Sequence, residues 1–215
     1  NTNTSRGNVI LGERYRTLWG QDFLMDTLCG LEFKLSVPSF YQVNREQAEA
    51  LYGKALEFAA LTGGETVLDL YCGTGTITLC MAQRSKRVIG AEIVPSAIAD
   101  ARENAARNHI KNAEFFCGDA AEVAVKLEGE GLRPDVVTID PPRKGLSPAV
   151  IASIAGMAPE RVVYVSCDPA TLGRDVKIFS GFGYQAVRAC AVDMFPATRH
   201  VETVLLLVRG PHNGA

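Results

Sequence analysis

An alternation constrains this chain more than any other feature. From residue 66 onward, unbroken apolar runs trade places with longer segments of helical spacing. The runs are Thr66-Val67-Leu68-Asp69-Leu70, Arg87-Val88-Ile89-Gly90-Ala91, Ala113-Glu114-Phe115-Phe116, Asp135-Val136-Val137-Thr138-Ile139, Arg161-Val162-Val163-Tyr164-Val165 and Val204-Leu205-Leu206-Leu207-Val208, with a weaker one at 184–192. Helices are expected at 76–84, 95–108, 119–128, 148–156 and 169–180. A strand that is apolar on both faces must be covered on both faces, and crossover helices supply that cover. The pattern therefore predicts an α/β fold with a mostly parallel, seven-stranded sheet. Ligands of such sheets bind beyond the carboxyl ends of the strands, so the loops there are the places to look for chemistry.

One more helix is expected ahead of the first run. Asn44 suits an N-cap, Gln47 completes a capping-box pattern, and Ala48, Leu51, Tyr52, Ala55, Leu56 and Ala59 follow at helical spacing as far as Gly63-Gly64. Residues 1–40 read differently. Asn8-Val9-Ile10-Leu11, Thr17-Leu18-Trp19-Gly20 and the stretch from Leu31 to Pro38 alternate apolar residues with Gly and Pro, as hairpins do. This β-rich segment is too small to own a core. The expectation is a remnant of a β-rich central domain over 1–40, lying against a catalytic domain over 41–215. A first residue of Asn rather than Met adds the expectation of a longer protein extending upstream.

Composition excludes several classes. No apolar run approaches the roughly 20 residues that a membrane-spanning helix needs, and no apolar stretch of signal-peptide type follows the first residues. The cysteines at 29, 72, 80, 117, 167 and 190 include no C-x-x-C pair, which argues against a zinc ribbon, a disulfide framework or a complete iron–sulfur site here. No metal site is expected, and free thiols point to a reducing, cytoplasmic setting. With a net charge of −2 there is no overall basic field, so any nucleic acid must be met by local patches.

The loop after the first run, Tyr71-Cys72-Gly73-Thr74-Gly75-Thr76, places glycines where the backbone must turn sharply and approach a ligand. Thr78 stands where a dinucleotide fingerprint has its third glycine, which disfavours a pyrophosphate-bearing cofactor. Glu92 closes the second run, where a carboxylate accepts ribose hydroxyls, and Asp119 follows the third, where an adenine edge is read. Together these resemble the cofactor site of class I S-adenosylmethionine-dependent methyltransferases, and so imply their Rossmann-like fold.

Two later loops bear on the substrate. Asp140-Pro141-Pro142-Arg143 has Arg where amino-methylating enzymes carry an aromatic residue, which disfavours transfer to an exocyclic amine. Cys167 ends the fifth run, followed by Asp168 as an N-cap and Pro169 at the first helical position. Most cysteines are small buried hydrophobes. This one sits on the ligand-binding edge beside a helix N-terminus, which is expected to favour the thiolate. Glu202 enters the last apolar run, where partial desolvation would raise its pKa and make it a better base. Taken alone, it reads as a strand-edge carboxylate facing water, and His200 as structural.

These stretches together resemble the TrmA/RumA-like family of RNA uracil-5-methyltransferases. The matching pieces are Ser39-Phe40-Tyr41-Gln42-Val43-Asn44, the 71–76 loop, Asp140-Pro141-Pro142-Arg143-Lys144-Gly145, Ser166-Cys167-Asp168-Pro169-Ala170-Thr171-Leu172 and His200-Val201-Glu202-Thr203. The resemblance implies that Cys167 is the nucleophile and Glu202 the base that removes the carbon-5 proton. It implies a cofactor site of Gln42, Tyr71, Gly73, Gly75, Thr76, Glu92 and Asp140, with Asp119 as a further contact. Thr76 departs from the Asn frequent in the family, and Gly173 from the small Ala before Arg174-Asp175. Arg143, Lys144, Arg174 and Arg199 are expected to form a basic rim for RNA phosphates.

S-adenosylmethionine, with S-adenosylhomocysteine as product, is the implied cofactor, and an iron–sulfur cluster would belong to an upstream part. The implied partner is RNA, with ribosomal RNA expected ahead of transfer RNA because the RumA-like branch is the broader one in bacteria. A monomer is expected, and weak or absent methylation by this stretch alone. Rival readings are a cytosine-5 RNA methyltransferase, a small-molecule methyltransferase and a non-catalytic cofactor- and RNA-binding module.

Overall fold

A twisted seven-stranded sheet organises the computed structural model, which describes residues 1–4, 11–12 and 14–210. The elements in chain order are β1 (Phe23–Leu28), β2 (Leu31–Ser36), α1 (Arg45–Ala59), β3 (Thr66–Leu70), α2 (Thr76–Ala82), β4 (Arg87–Glu92), α3 (Pro95–Arg107), β5 (Ala113–Cys117), α4 (Ala120–Gly129), β6 (Val136–Ile139), α5 (Pro148–Met157), β7 (Arg161–Ser166), α6 (Pro169–Gly181), β8 (Tyr184–Val192) and β9 (Glu202–Arg209). The sheet order is β5-β4-β3-β6-β7-β9-β8, parallel except that β9 runs antiparallel to both β7 and β8. The fold is the α/β architecture with a mostly parallel, seven-stranded sheet expected from the alternation.

Alternate residues of each central strand feed separate cores, which is why these strands are apolar throughout. Val67, Val136 and Val163 join Leu51, Ile77 and Ile98 on the face covered by α1, α2 and α3. Leu68, Val137 and Tyr164 join Val123, Ile151 and Phe179 on the face covered by α4, α5 and α6. Helix starts follow their caps: Asn44 accepts from the Gln47 amide (3.4 Å), and Asp168 accepts from the amides of Ala170 and Thr171, with Pro169 at the first position.

The N-terminal part differs from expectation. The stretch 17–20 forms no strand, and Leu18 and Trp19 are largely exposed. The hairpin pairs β1 with β2 instead, joined by Cys29 and Gly30, both in the left-handed region. Alternation misleads at β1 because two of its apolar residues, Leu24 and Met25, are exposed although they lie on opposite faces of the strand. Of the run expected at 8–11, residues 8–10 lie outside the described residues. Leu28, Leu31, Phe33 and Leu35 enter the core shared with α1–α3, so the hairpin covers the α/β fold rather than standing apart. The free edge of β2 is closed by a side-chain ladder on α3. Asp100 accepts from the Ser36 amide, while Asn104 and Asn108 each exchange two hydrogen bonds with the backbone of Lys34 and of Glu32.

Candidate active site

The strand order reverses between β3 and β6, and a cleft of about 370 Å³ opens at their carboxyl ends. That is the place for a ligand in an open α/β sheet. Gln42, Tyr71, Gly73, Thr76 and Asp140 line it, as do Phe40, Tyr52 and Thr74. The 71–75 loop gets its shape from a left-handed backbone at alternate residues: Tyr71 (φ 66°), Gly73 (φ 54°) and Gly75 (φ 84°). A bulky aromatic holds such a conformation only where its surroundings enforce it, and such strain gathers at functional sites. Gly75 is also tight, because an added Cβ would lie 3.2 Å from that of Ala101. Glu92 secures the loop from β4 by accepting from the amides of Gly73 (3.2 Å) and Val94 (2.9 Å). Asp119 is exposed and caps α4 through the Ala121 amide.

Thr74 was not singled out by sequence reasoning. It is 1% exposed, lines the cleft, and its Oγ1 has no hydrogen-bond partner among the described residues. A buried hydroxyl without a partner is costly, so its place in the lining of the cleft is informative. The only sequence signal was its position between two glycines. Asp69 and Tyr52 were missed as well. Asp69 is buried beneath the cleft, accepts from Thr78 Oγ1 (2.5 Å) and Thr138 Oγ1 (2.8 Å), and is pushed up to about 6 by burial. The Tyr52 hydroxyl meets Thr76 Oγ1 at 3.3 Å.

Register brings the reactive groups together. Ser166 on β7 is level with Thr203 on β9, so the next step places Cys167 level with Glu202. Ile139 on β6 is level with Tyr164, which sets Asp140 at the adjoining strand end. Glu202 is 5% exposed, and no hydrogen bond reaches its carboxylate or that of Asp140 among the described residues. Burial raises the Glu202 carboxyl, with Arg143 opposing. Burial, then Glu202 and Asp69, push Asp140 up to about 8.

The expectation that a helix N-terminus favours the Cys167 thiolate is corrected. Burial, followed by the charges of Glu202 and Asp140, pushes this thiol up, and its own backbone hydrogen bond and Arg143 only partly offset them. The positive end of α6 is already engaged by the Asp168 carboxylate, which accepts from Ala170 (2.8 Å) and Thr171 (3.2 Å).

The four cations of the expected rim divide. Arg143 and Lys144 are exposed at the middle of a turn closed by the Gly145 amide donating to Pro142 O (2.8 Å), and Arg199 is exposed ahead of β9. None of the three enters an ion pair among the described residues. Arg174 is committed inward: it pairs with the fully buried Asp175 and donates to Lys144 O and Leu146 O. His200 stacks edge-on against Phe195, in keeping with a structural role.

The profile of the family described as tRNA (uracil-5-)-methyltransferase matches residues 13–210. An uncharacterized RNA methyltransferase of Halalkalibacterium halodurans is 50% identical over 207 residues, which cover 96% of this chain and 45% of that protein. One from Clostridium acetobutylicum is 50% identical over 209 residues, covering 97% and 45%. The chain thus spans about half the length of the curated relatives it matches. Among solved structures, the Pyrococcus abyssi tRNA (uracil-54, C5)-methyltransferase in complex with S-adenosyl-L-homocysteine superposes with a TM-score of 0.81 at 37% identity, covering 96% of this chain and 49% of that one.

Proposed function

The chain belongs to the tRNA (uracil-5-)-methyltransferase family, and on that premise we propose that it serves S-adenosylmethionine-dependent methylation of uridine carbon 5 in RNA, with Cys167 as nucleophile and Glu202 as base. The observation that carries this reading is the meeting of one thiol with two carboxylates free of hydrogen bonds, at adjoining strand ends beside the cleft.

The residues present fit this cofactor. Its sulfonium is cationic, and the site offers the buried carboxyls of Asp69 and Glu202 beside Asp140, whose own carboxyl both of them push up. The unpartnered Thr74 hydroxyl offers a further polar contact. Gln42, Tyr71, Gly73, Gly75, Thr76 and Asp140 would hold the cofactor, with Glu92 accepting ribose hydroxyls and Asp119 meeting the adenine edge. Glu92 already accepts two amide hydrogens, but a carboxylate has lone pairs to spare. When bound, the cofactor supplies a methyl group carried on positive sulfur.

Carbon 5 of uracil is too weak a nucleophile to take that methyl unaided. Cys167, whose half-exposed thiol gives its proton to solvent, adds to carbon 6, and the displaced π electrons make carbon 5 enolate-like. Glu202 then takes the carbon-5 proton, the electron pair restores the 5,6 double bond, and the Cys167 sulfur leaves with the electrons of its bond to carbon 6. A carboxyl raised by burial is a stronger base than an exposed one. The uridine must be flipped out or unpaired to reach the sulfur. Arg143, Lys144 and Arg199 supply phosphate contacts; Arg174, engaged internally, supplies less.

Ribosomal RNA remains the proposed substrate class. Transfer RNA is the second reading, favoured by the substrate of the Pyrococcus abyssi enzyme. Incubating the full-length protein with 5-fluorouracil-substituted ribosomal and transfer RNA transcripts separates them, because the fluorine cannot be removed and the Cys167 thioether persists. An adduct with ribosomal RNA alone supports the first reading, with transfer RNA alone the second; none with either rejects both. We further propose a monomeric, cytoplasmic protein in which residues 1–40 end a β-rich domain; the six free cysteines fit a reducing setting.

A further inference from the structure

A buried knot ties the proline loop to α6. Asp175 is fully buried, and its carboxylate accepts from the Tyr164 hydroxyl (2.7 Å), the Leu146 amide (2.8 Å) and Arg174 Nε (2.8 Å). Arg174 Nη2 reaches across the turn to Lys144 O (2.9 Å) and Leu146 O (3.1 Å). Gly145 makes the approach possible. Its φ is 69°, and an added Cβ would lie 2.6 Å from Asp175 Oδ2 and 2.7 Å from Arg174 Nη2. Strand β7, the loop after β6 and α6 therefore meet at one carboxylate.

This knot fixes the turn at whose tip Arg143 stands. Cys167 shares adjoining strand ends with Glu202 of β9 and with Asp140 of the loop after β6, the adjoining Asp168 starts α6, and the charges that bear on it are those of Glu202, Asp140 and Arg143. Arg143 is the cation whose charge acts on both Cys167 and Glu202. As an exposed side chain in a turn, it would lose that place if the turn relaxed.

We propose that Arg174 and Asp175 are positioning residues that hold the turn carrying Arg143 at the strand ends where Cys167 and Glu202 stand, so that the reactivity of the thiol depends on two residues that do not belong to its loop. The inference rests on the reading of Cys167 as the nucleophile. Its test needs neither RNA nor cofactor, so either can fail alone.

The test is the pH profile of Cys167 alkylation by iodoacetamide, followed by peptide mass spectrometry in the full-length protein. Exposed Cys117 serves as the internal control and buried Cys80 as the reporter of unfolding. Arg143→Gln should slow Cys167 alkylation roughly threefold below its midpoint and move the midpoint upward, while Arg143→Lys restores most of it. Arg174→Gln and Asp175→Asn should reproduce the Arg143→Gln profile with Cys117 unchanged. If Asp175→Asn exposes Cys80, Arg174→Gln decides alone. An unchanged Cys167 profile in Arg143→Gln or in Arg174→Gln overturns the proposal. So does exposure of Cys80 in Arg174→Gln, which would make the pair a stability element.

Discussion

Two acids, one under the N-terminal hairpin and one in the cleft, show how differently this fold treats a carboxylate. Asp100, on α3, is almost wholly buried and receives three donors: the Ser36 amide (3.1 Å), Ser36 Oγ (2.5 Å) and Ser39 Oγ (2.8 Å). Asp140, at the end of β6, receives none and is pushed up to about 8 by burial, Glu202 and Asp69. The first replaces water with protein donors and so stitches the hairpin to the sheet. The second is left wanting a proton or a cation. A satisfied acid marks structure, and an unsatisfied one, in a cleft, marks chemistry.

The comparison is sharpened most by Glu202. Replacing it with Gln should cut turnover by about 10²–10⁴-fold, because the carbon-5 proton would have no base. The Cys167 adduct with unmodified RNA should then accumulate, visible as a band shift on denaturing gels. Turnover near the parental rate would move Glu202 to the structural side.

Asp140 comes next. A carboxyl whose folded-state value lies above its ordinary one is held neutral by the fold. Ionising it opposes folding, so its burden grows as pH rises from the ordinary carboxylate range toward about 8 and is absent below that range. Asp140→Asn should therefore raise thermal stability by at least about 1 kcal/mol near pH 8, with little change near pH 4. The same variant should weaken S-adenosylmethionine binding and abolish the proton release that accompanies it in calorimetry. A destabilised variant at pH 8 would mean that Asp140 is as satisfied as Asp100.

Asp100→Ala is the counterpart. It strands three donors and should cost about 1–3 kcal/mol in chemical denaturation. The alkylation profile of Cys167 should not move. The smallest effects belong to the rim: Lys144→Ala and Arg199→Ala should each weaken RNA binding modestly and lower the salt dependence by about one counterion, leaving cofactor affinity unchanged. Arg174→Ala should not show that salt signature, since its guanidinium is spent on Asp175 and two carbonyls.

The sheet was legible because burial on two faces writes itself into sequence as uninterrupted apolar runs, and the runs at 66–70 and 184–192 coincide with β3 and β8. At β1 the same logic failed, since Leu24 and Met25 are both exposed. The position of Cys167 was legible from its strand and cap. Its protonation state was not, because Asp140, Cys167 and Glu202 come from different strand ends and only the folded register sets them side by side. Arg174 read as a free cation because nothing local announces that Asp175 points inward to meet Tyr164 and Leu146. Thr74 carried no signal beyond its glycine neighbours; its orphaned hydroxyl is a fact of packing.

The central claim is that Cys167 bonds covalently to the target base. Full-length protein incubated with S-adenosylmethionine and 5-fluorouracil-substituted RNA should give a denaturant-stable complex. Digestion and mass spectrometry should place the cross-link on the peptide containing Cys167 and on a single uridine position, and Cys167→Ala should abolish it. A cross-link on another cysteine, or methyl transfer to unmodified RNA by Cys167→Ala, would contradict the account.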